Sequence, residues 1–183
     1  MMTGAGKAGT GEIEAVLEAL VEDFDLLEDW EQRIAYVIEL GRELPPLPET
    51  DRIEANTVRG CAAQVWVASH REGDRLVFRA DSDSHLSKGN VALLLRLYSG
   101  RSPADILAFD ARAALDRLGL PQVLTPQRAN GLNSMVGRIR ETAAAARGVG
   151  VNVRAGKLQA ISLSAAITAA AGALYAQYFL YLD

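Results

Sequence analysis

Gln64-Val65-Trp66-Val67-Ala68-Ser69, then Glu72-Gly73-Asp74, then Arg75-Leu76-Val77-Phe78-Arg79-Ala80 is the stretch that decides the fold of this chain. The first run is β-branched, aromatic or small, the middle supplies turn chemistry, and the last alternates charged residues with apolar Leu76 and Phe78. Together they predict a β-hairpin. The apolar residues on either side recur at helical spacing instead. A small antiparallel β-sheet packed with several helices is an α+β arrangement.

Toward the N-terminus, Ile13, Val16, Leu17, Leu20, Val21 and Phe24 follow the i, i+3, i+4, i+7 pattern of one helix stripe, with Glu12, Glu14, Glu18 and Glu22 mostly elsewhere. Before it, Met1-Met2-Thr3-Gly4-Ala5-Gly6-Lys7 is polar and Gly-rich with no apolar stretch behind it. Residues 1–11 therefore read as a disordered tail, not a secretion signal. A second helix begins near Asp29 as N-cap, carries Trp30, Ile34, Val37 and Ile38 on one side, and stops at Gly41. Pro45-Pro46-Leu47-Pro48 then forces an extended segment, with nothing regular expected until about residue 57.

Beyond the hairpin, the polar cluster Asp81-Ser82-Asp83-Ser84 leads into a helix over about residues 87–98 that presents Val91, Leu94, Leu95 and Tyr98 and ends at Gly100. Ser102-Pro103 and Thr125-Pro126 each set a hydroxyl N-cap before a proline at the first helical position, and Asp105 suits a capping box with Ser102. The last helix carries Leu132, Met135, Val136 and Ile139.

The 183 residues, 49% apolar and 23% charged, suit one globular domain with an appendage. A net charge of −4 argues against a general nucleic-acid binder, which needs a basic face to displace counterions from phosphates. One cysteine cannot close an internal disulfide, and two histidines give little from which to build a soft-metal site. His70 and His85 do not form a spaced ligand pair, so no metal is expected. Scarce cysteine suits a reducing, cytoplasmic compartment.

Any sulfur chemistry therefore runs through Cys61, in Arg59-Gly60-Cys61-Ala62-Ala63-Gln64. Gly60 lets the backbone turn tightly, and the adjoining hairpin would hold the thiol at the tip of a rigid element. A protruding thiol can be reached by another protein's sulfur, whereas free cysteine is also among the most buried residue types. Arg59 would favour the thiolate if its side chain turned toward Cys61, a direction that its place in a loop does not fix. These residues alone leave both an inert core thiol and a working atom open.

Several separated stretches resemble the SufE family of sulfur-acceptor proteins. They are Trp30-Glu31-Gln32-Arg33, Ile38-Glu39-Leu40-Gly41 with Leu44-Pro45, Gly60-Cys61 with Gln64-Val65-Trp66, Asp81-Ser82-Asp83, and Lys88-Gly89. Asp105-Ile106, Phe109-Asp110, Leu124-Thr125-Pro126 with Arg128, and Gly131-Leu132 follow in the same order, and the likeness covers about residues 13–146. It implies a sulfur-acceptor domain over 12–146. In that reading Cys61 takes a persulfide sulfur from a pyridoxal-phosphate cysteine desulfurase and relays it to an iron–sulfur cluster scaffold complex. The desulfurase would hold the cofactor, with none on this chain, which would act as carrier and activator instead of an independent enzyme. By the same resemblance Arg59, Gln64, Asp83, Lys88 and Arg128 belong to the cysteine loop's support or to the partner contact. Two departures concern loop geometry: Ala62-Ala63 stands where the family commonly has a serine second after the cysteine, and Ala80 where glycine is usual.

After Ala146 the character changes. Arg147, Arg154 and Lys157 precede Leu158 to Leu182, twenty-five residues without a formal charge. The run is long enough for a spanning helix, although alanines dominate and Gln159, Ser162, Ser164, Thr168 and Gln177 interrupt it. Residues 150–176 resemble one internal stretch of the permease subunits of branched-chain amino-acid transporters. The expectation for 147–183 is an appended hydrophobic helix, either a fusion remnant or a segment in contact with the inner membrane. Two rival functions remain at this stage. One is a cysteine hydrolase with His70 or His85 as base, which needs an imidazole within hydrogen-bond reach of Cys61; the other is a membrane-tethered, non-catalytic interaction module.

Overall fold

The computed structural model describes residues 6–120 and 124–149. By its internal contacts the chain divides into two compact units, 1–146 and 147–183. All described elements belong to the first, apart from the last three residues of the final helix. The apolar run 158–182 lies outside the described residues, as does its permease-like neighbourhood. Among the described residues no helix is long and apolar enough to cross a membrane.

Helix α1 (Gly6–Asp25) turns the predicted stripe inward, with Ile13, Leu17, Leu20 and Phe24 buried and Val16 and Val21 packed against them. It starts earlier than expected: residues 6–11 are helical, because a nucleus anchored by core contacts extends by one backbone bond per added residue. Helix α2 (Trp30–Arg42) has the predicted cap, Asp29 accepting from the Gln32 N–H at 2.8 Å. Two expectations for α2 fail. Gly41 lies inside the helix instead of ending it, and Trp30 is 57% exposed because the first helical residue projects past the core.

The proline-rich connection contains two short 3₁₀ turns, Glu49–Asp51 and Glu54–Asn56, contrary to the expectation of nothing regular there. Turns of three residues close single i→i+3 bonds and leave no periodic pattern to read. The predicted hairpin follows, with both strands longer than expected: Glu72, read as turn, ends the first, and Asp81-Ser82, read as a polar cluster beyond the hairpin, end the second. Strands β1 (Val65–Glu72) and β2 (Arg75–Ser82) pair antiparallel from Val65↔Ser82 to Glu72↔Arg75, joined by Gly73-Asp74. Val65 and Val67 on β1, with Leu76, Phe78 and Ala80 on β2, face the core. The outer edge of β1 is covered at one end, where Thr57 bridges Trp66 and the Val58 N–H donates to the Val65 carbonyl at 2.8 Å. At the other end of the sheet, Leu76 on β2 exchanges bonds with Gly100 and Arg101, at 2.7 and 2.8 Å.

Helix α3 (His85–Tyr98) starts two residues before the expected position, with Ser84 as cap. It is the central element: from Gly89 to Tyr98 only Arg96 is exposed, because α2, β2 and α1 all pack on it. Gly41 and Gly89 make the α2–α3 approach possible. A Cβ built on Gly89 would stand 2.1 Å from the Val37 carbonyl oxygen, and one on Gly41 would stand 2.7 Å from the Gly89 nitrogen. Helix α4 (Pro103–Ala108) has the predicted Ser102 cap and proline start, with the Asp105 N–H donating to the serine oxygen at 3.2 Å. Helix α5 (Ala111–Arg117) is capped by Asp110. Helix α6 (Pro126–Val149) begins at the predicted Thr125-Pro126 and buries Leu132, Met135 and Ile139. The result is the expected α+β fold, a two-stranded antiparallel sheet with helices before and after it.

Candidate functional site

Cys61 lies in the loop between the Thr57–Val58 bridge and the start of β1, and that loop rests on one face of α6. Gly60 makes the approach possible. Its φ is +90°, a region costly for residues with a side chain, and an added Cβ would meet the Ser134 Oγ at 2.8 Å. One residue on, the Cys61 thiol donates to the Gly131 carbonyl across 3.5 Å. The Gly131 Cα side faces Cys61 closely enough that a Cβ there would touch Sγ at 3.5 Å, ordinary van der Waals contact.

Cys61 is half-buried, and burial pushes its thiol above the ordinary value. Among the described residues no neighbouring cation works against this. At neutral pH the resting group is therefore the protonated thiol, a weak nucleophile whose proton is occupied by a carbonyl.

Arg59 does not face the sulfur. Of the two directions that its place in a loop left open, the side chain takes the outward one: its guanidinium binds the Glu54 carboxylate at 2.9 Å, both groups well exposed. Gln64 and Asp83 do meet. The Gln64 N–H donates to the Asp83 carboxylate at 2.9 Å, the Asp83 N–H returns to the Gln64 carbonyl at 3.3 Å, and the Ser82 hydroxyl donates to that same carbonyl at 2.7 Å. These bonds use the Gln64 backbone, and they fix the C-terminal end of the cysteine loop to the end of β2.

Lys88 instead pairs with Asp81, at 2.9 Å. Asp81 is 5% exposed and also binds Arg52 at 2.7 Å; the same guanidinium reaches Glu49 at 2.9 Å and lies 5.8 Å from the Trp66 ring centre. Burial alone would raise the Asp81 carboxyl. Donors from Lys88, the Ser82 N–H and Arg52 outweigh it and hold the carboxyl below its usual range. Arg128 is exposed in the first turn of α6, three residues before Gly131 and so on the same side of the helix. Among the described residues it has no hydrogen-bonding or ionic partner.

The contacts of Gly131 and Ser134 with the loop, and the pairing of Arg52 with Asp81, are not readable from sequence. The Gly131-x-x-Ser134 spacing marks one helix face, but nothing in sequence says which loop lies on it. Beside the loop, a cleft of about 510 Å³ is lined by Glu54, Arg59, Ser134, Arg138 and Glu141 among others. His70 binds Glu72 at 2.8 Å, and His85 is exposed in the first turn of α3. Among the described residues the Gly131 carbonyl is the sole hydrogen-bond partner of the Cys61 thiol, so the hydrolase reading lacks its base. No three His, Cys, Asp or Glu side chains among the described residues group as metal ligands.

Comparison with known proteins gives one answer. The family described as SufE: Fe-S metabolism associated domain matches residues 18–143. An uncharacterised SufE-like protein of Rhizobium etli is 47% identical over 133 residues, 70% of this chain and 90% of the relative. One from Rhizobium meliloti is 44% identical over 131 residues, 69% of this chain and 94% of its own length. The solution structure of a hypothetical protein from Thermus thermophilus superposes with a TM-score of 0.61 at 24% identity, covering 73% of this chain and 96% of that one, a likeness of fold. With the family's pattern running over residues 18–143 and these relatives alike over most of their length, the chain belongs to the SufE family of Fe–S metabolism proteins.

Proposed function

We propose that this protein accepts sulfur on Cys61 from the persulfide of a pyridoxal-phosphate cysteine desulfurase and passes it to an iron–sulfur cluster scaffold. The observation that carries the reading is the mounting of Cys61. The chain's single thiol sits on a loop anchored at Val58 on one side and at Gln64 on the other, with one weak thiol–carbonyl bond holding the sulfur between them. Little has to break for the loop to present the sulfur to another protein.

The chemistry is thiol–disulfide-type exchange. The Cys61 thiolate attacks the outer sulfur of the partner's persulfide, a new S–S bond forms at Cys61, and the partner's S–S bond breaks as its cysteine leaves as thiolate. The Cys61 proton goes to solvent or a base of the partner, and the leaving thiolate can take one up. No electrons are gained or lost overall, so the chain itself brings no cofactor. Docking has to bring Cys61 into a wetter or more cationic place, since burial keeps it protonated at rest. Arg128, on the same side of α6 and without a partner among the described residues, suits an acidic group on the desulfurase. A reducing cytoplasm keeps such a thiol available between cycles.

Intact-protein mass tests the reading. The chain mixed with a cysteine desulfurase and cysteine should gain sulfur mass, and Cys61→Ser should gain none. Equal gain by both proteins, or none by a folded native chain across several desulfurases, would overturn it.

A further inference from the structure

The segment leading to Cys61 runs along α6 in the opposite direction to the helix. Cys61 lies on Gly131, Gly60 on Ser134, and the Ala55 carbonyl accepts a hydrogen bond from the Arg138 guanidinium. Positions 131, 134 and 138 share one helix face, spanning two turns or roughly 10 Å at the helical rise. The first two contacts are a thiol–carbonyl bond and a van der Waals approach. The third is made by a cationic donor to a backbone carbonyl, ordinarily the strongest of the three types.

Upstream of Ala55, Arg52 ties the connection to Asp81; downstream, Val58 ties it to β1. Between those two ties, the Arg138 bond is, among the described residues, the hydrogen bond that attaches residues 54–57 to α6, and together with the Val58 bond it sets the height of the chain above the helix ahead of Gly60. If it is released, the Gly60–Ser134 approach and the Cys61–Gly131 bond lose the support that keeps them in register.

We propose that Arg138 is the positioning residue that holds Cys61 in its resting seat on α6. It works by fixing the backbone through Ala55 and not through its charge. The guanidinium makes no bond to the sulfur. Arg138 thereby sets the share of molecules in which the thiol is seated on α6 rather than open to an incoming reagent. The sulfur-acceptor reading gives this control its purpose, but the control can be measured without any desulfurase.

The measurement is the rate at which iodoacetamide alkylates Cys61 in the full-length chain at a fixed near-neutral pH. Arg138→Met keeps the side-chain stem and removes the donor. Its alkylation rate should rise about tenfold or more, the factor expected when one hydrogen bond from a charged donor is taken from a closed state. Arg138→Lys restores a donor and should return the rate most of the way to native. Ile13→Val, a core change on α1, serves as a control for general loosening and should leave the rate unchanged. If Arg138→Met melts without a native transition, Arg138→Leu takes its place. A native alkylation rate in the folded donor-less variant would overturn the proposal, as would an equal rise in Ile13→Val or no recovery with lysine. Failure of sulfur loading in the native chain would instead count against the acceptor reading alone.

Discussion

Asp81 shows how a single side chain fixes the connection that leads to the cysteine. It sits opposite Trp66 in the hairpin, almost fully buried, with Lys88 and Arg52 on its two oxygens. Replacing it with asparagine leaves two cations facing a neutral amide. The expected loss is about 2–3 kcal/mol at pH 7, below the full cost of breaking a buried pair because both cations keep some contact with water. The sign with pH follows from the depressed carboxyl. Its contribution is complete above the unfolded value, near 3.9, and is lost as pH falls through the lower folded value. Denaturant melts across pH should show the Asp81→Asn deficit shrinking below about pH 4; a deficit independent of pH would contradict the ionic account. Sequence makes Asp81-Ser82-Asp83 visible as a polar cluster but not the division of labour within it. Asp83 meets the loop backbone and Asp81 meets the charges because β2 ends between them. Arg52 is invisible for a different reason: its partner is twenty-nine residues away, and an ion pair leaves no periodic trace.

Between elements, the closest approach is that of α2 and α3. The glycines at 41 and 89 let two backbones meet where any side chain would collide. Sequence marks Gly41 as a helix end because glycine usually has that role, and the contact that explains it is tertiary. The helix caps at Asp29 and Ser102 and the existence of the hairpin are legible, since each depends on residues a few positions apart. Gly89→Ala should destabilise the protein by about 3 kcal/mol, the upper part of the range for overpacking, because the obstacle is the rigid carbonyl of Val37. Thermal melting checks this, and a variant as stable as the native chain would mean that α2 and α3 can separate slightly without loss.

At the level of the whole molecule, the buried core runs from Ile13 on α1 to Ala143 on α6, and the internal contacts divide after Ala146. A chain ending at Ala146 should therefore fold, with the melting temperature of the hairpin domain unchanged within a few degrees, and should still load sulfur on Cys61. Calorimetry and intact mass on the shortened chain check both, and an unfolded product would mean that 147–183 takes part in the domain's stability. The core is legible at this scale from the helical stripes. The placement of the cysteine loop on α6 is not, because it joins residues about seventy positions apart through a glycine, a serine and a backbone carbonyl.

The guarded margins of the small sheet bear on what the proposed lifting of the cysteine loop would uncover. A two-stranded sheet offers unpaired amides on both flanks, and such flanks recruit strands from neighbouring molecules. Here Thr57 and Val58 shield one flank next to the loop, and Gly100 and Arg101 shield the other at the far end. Because the shield at Val58 lies ahead of Gly60, the residues from Gly60 to Ala63 have room to move while the Val58–Val65 bond stays closed. If Cys61 transfers sulfur as proposed, it can be presented to a partner without uncovering that stretch of strand edge.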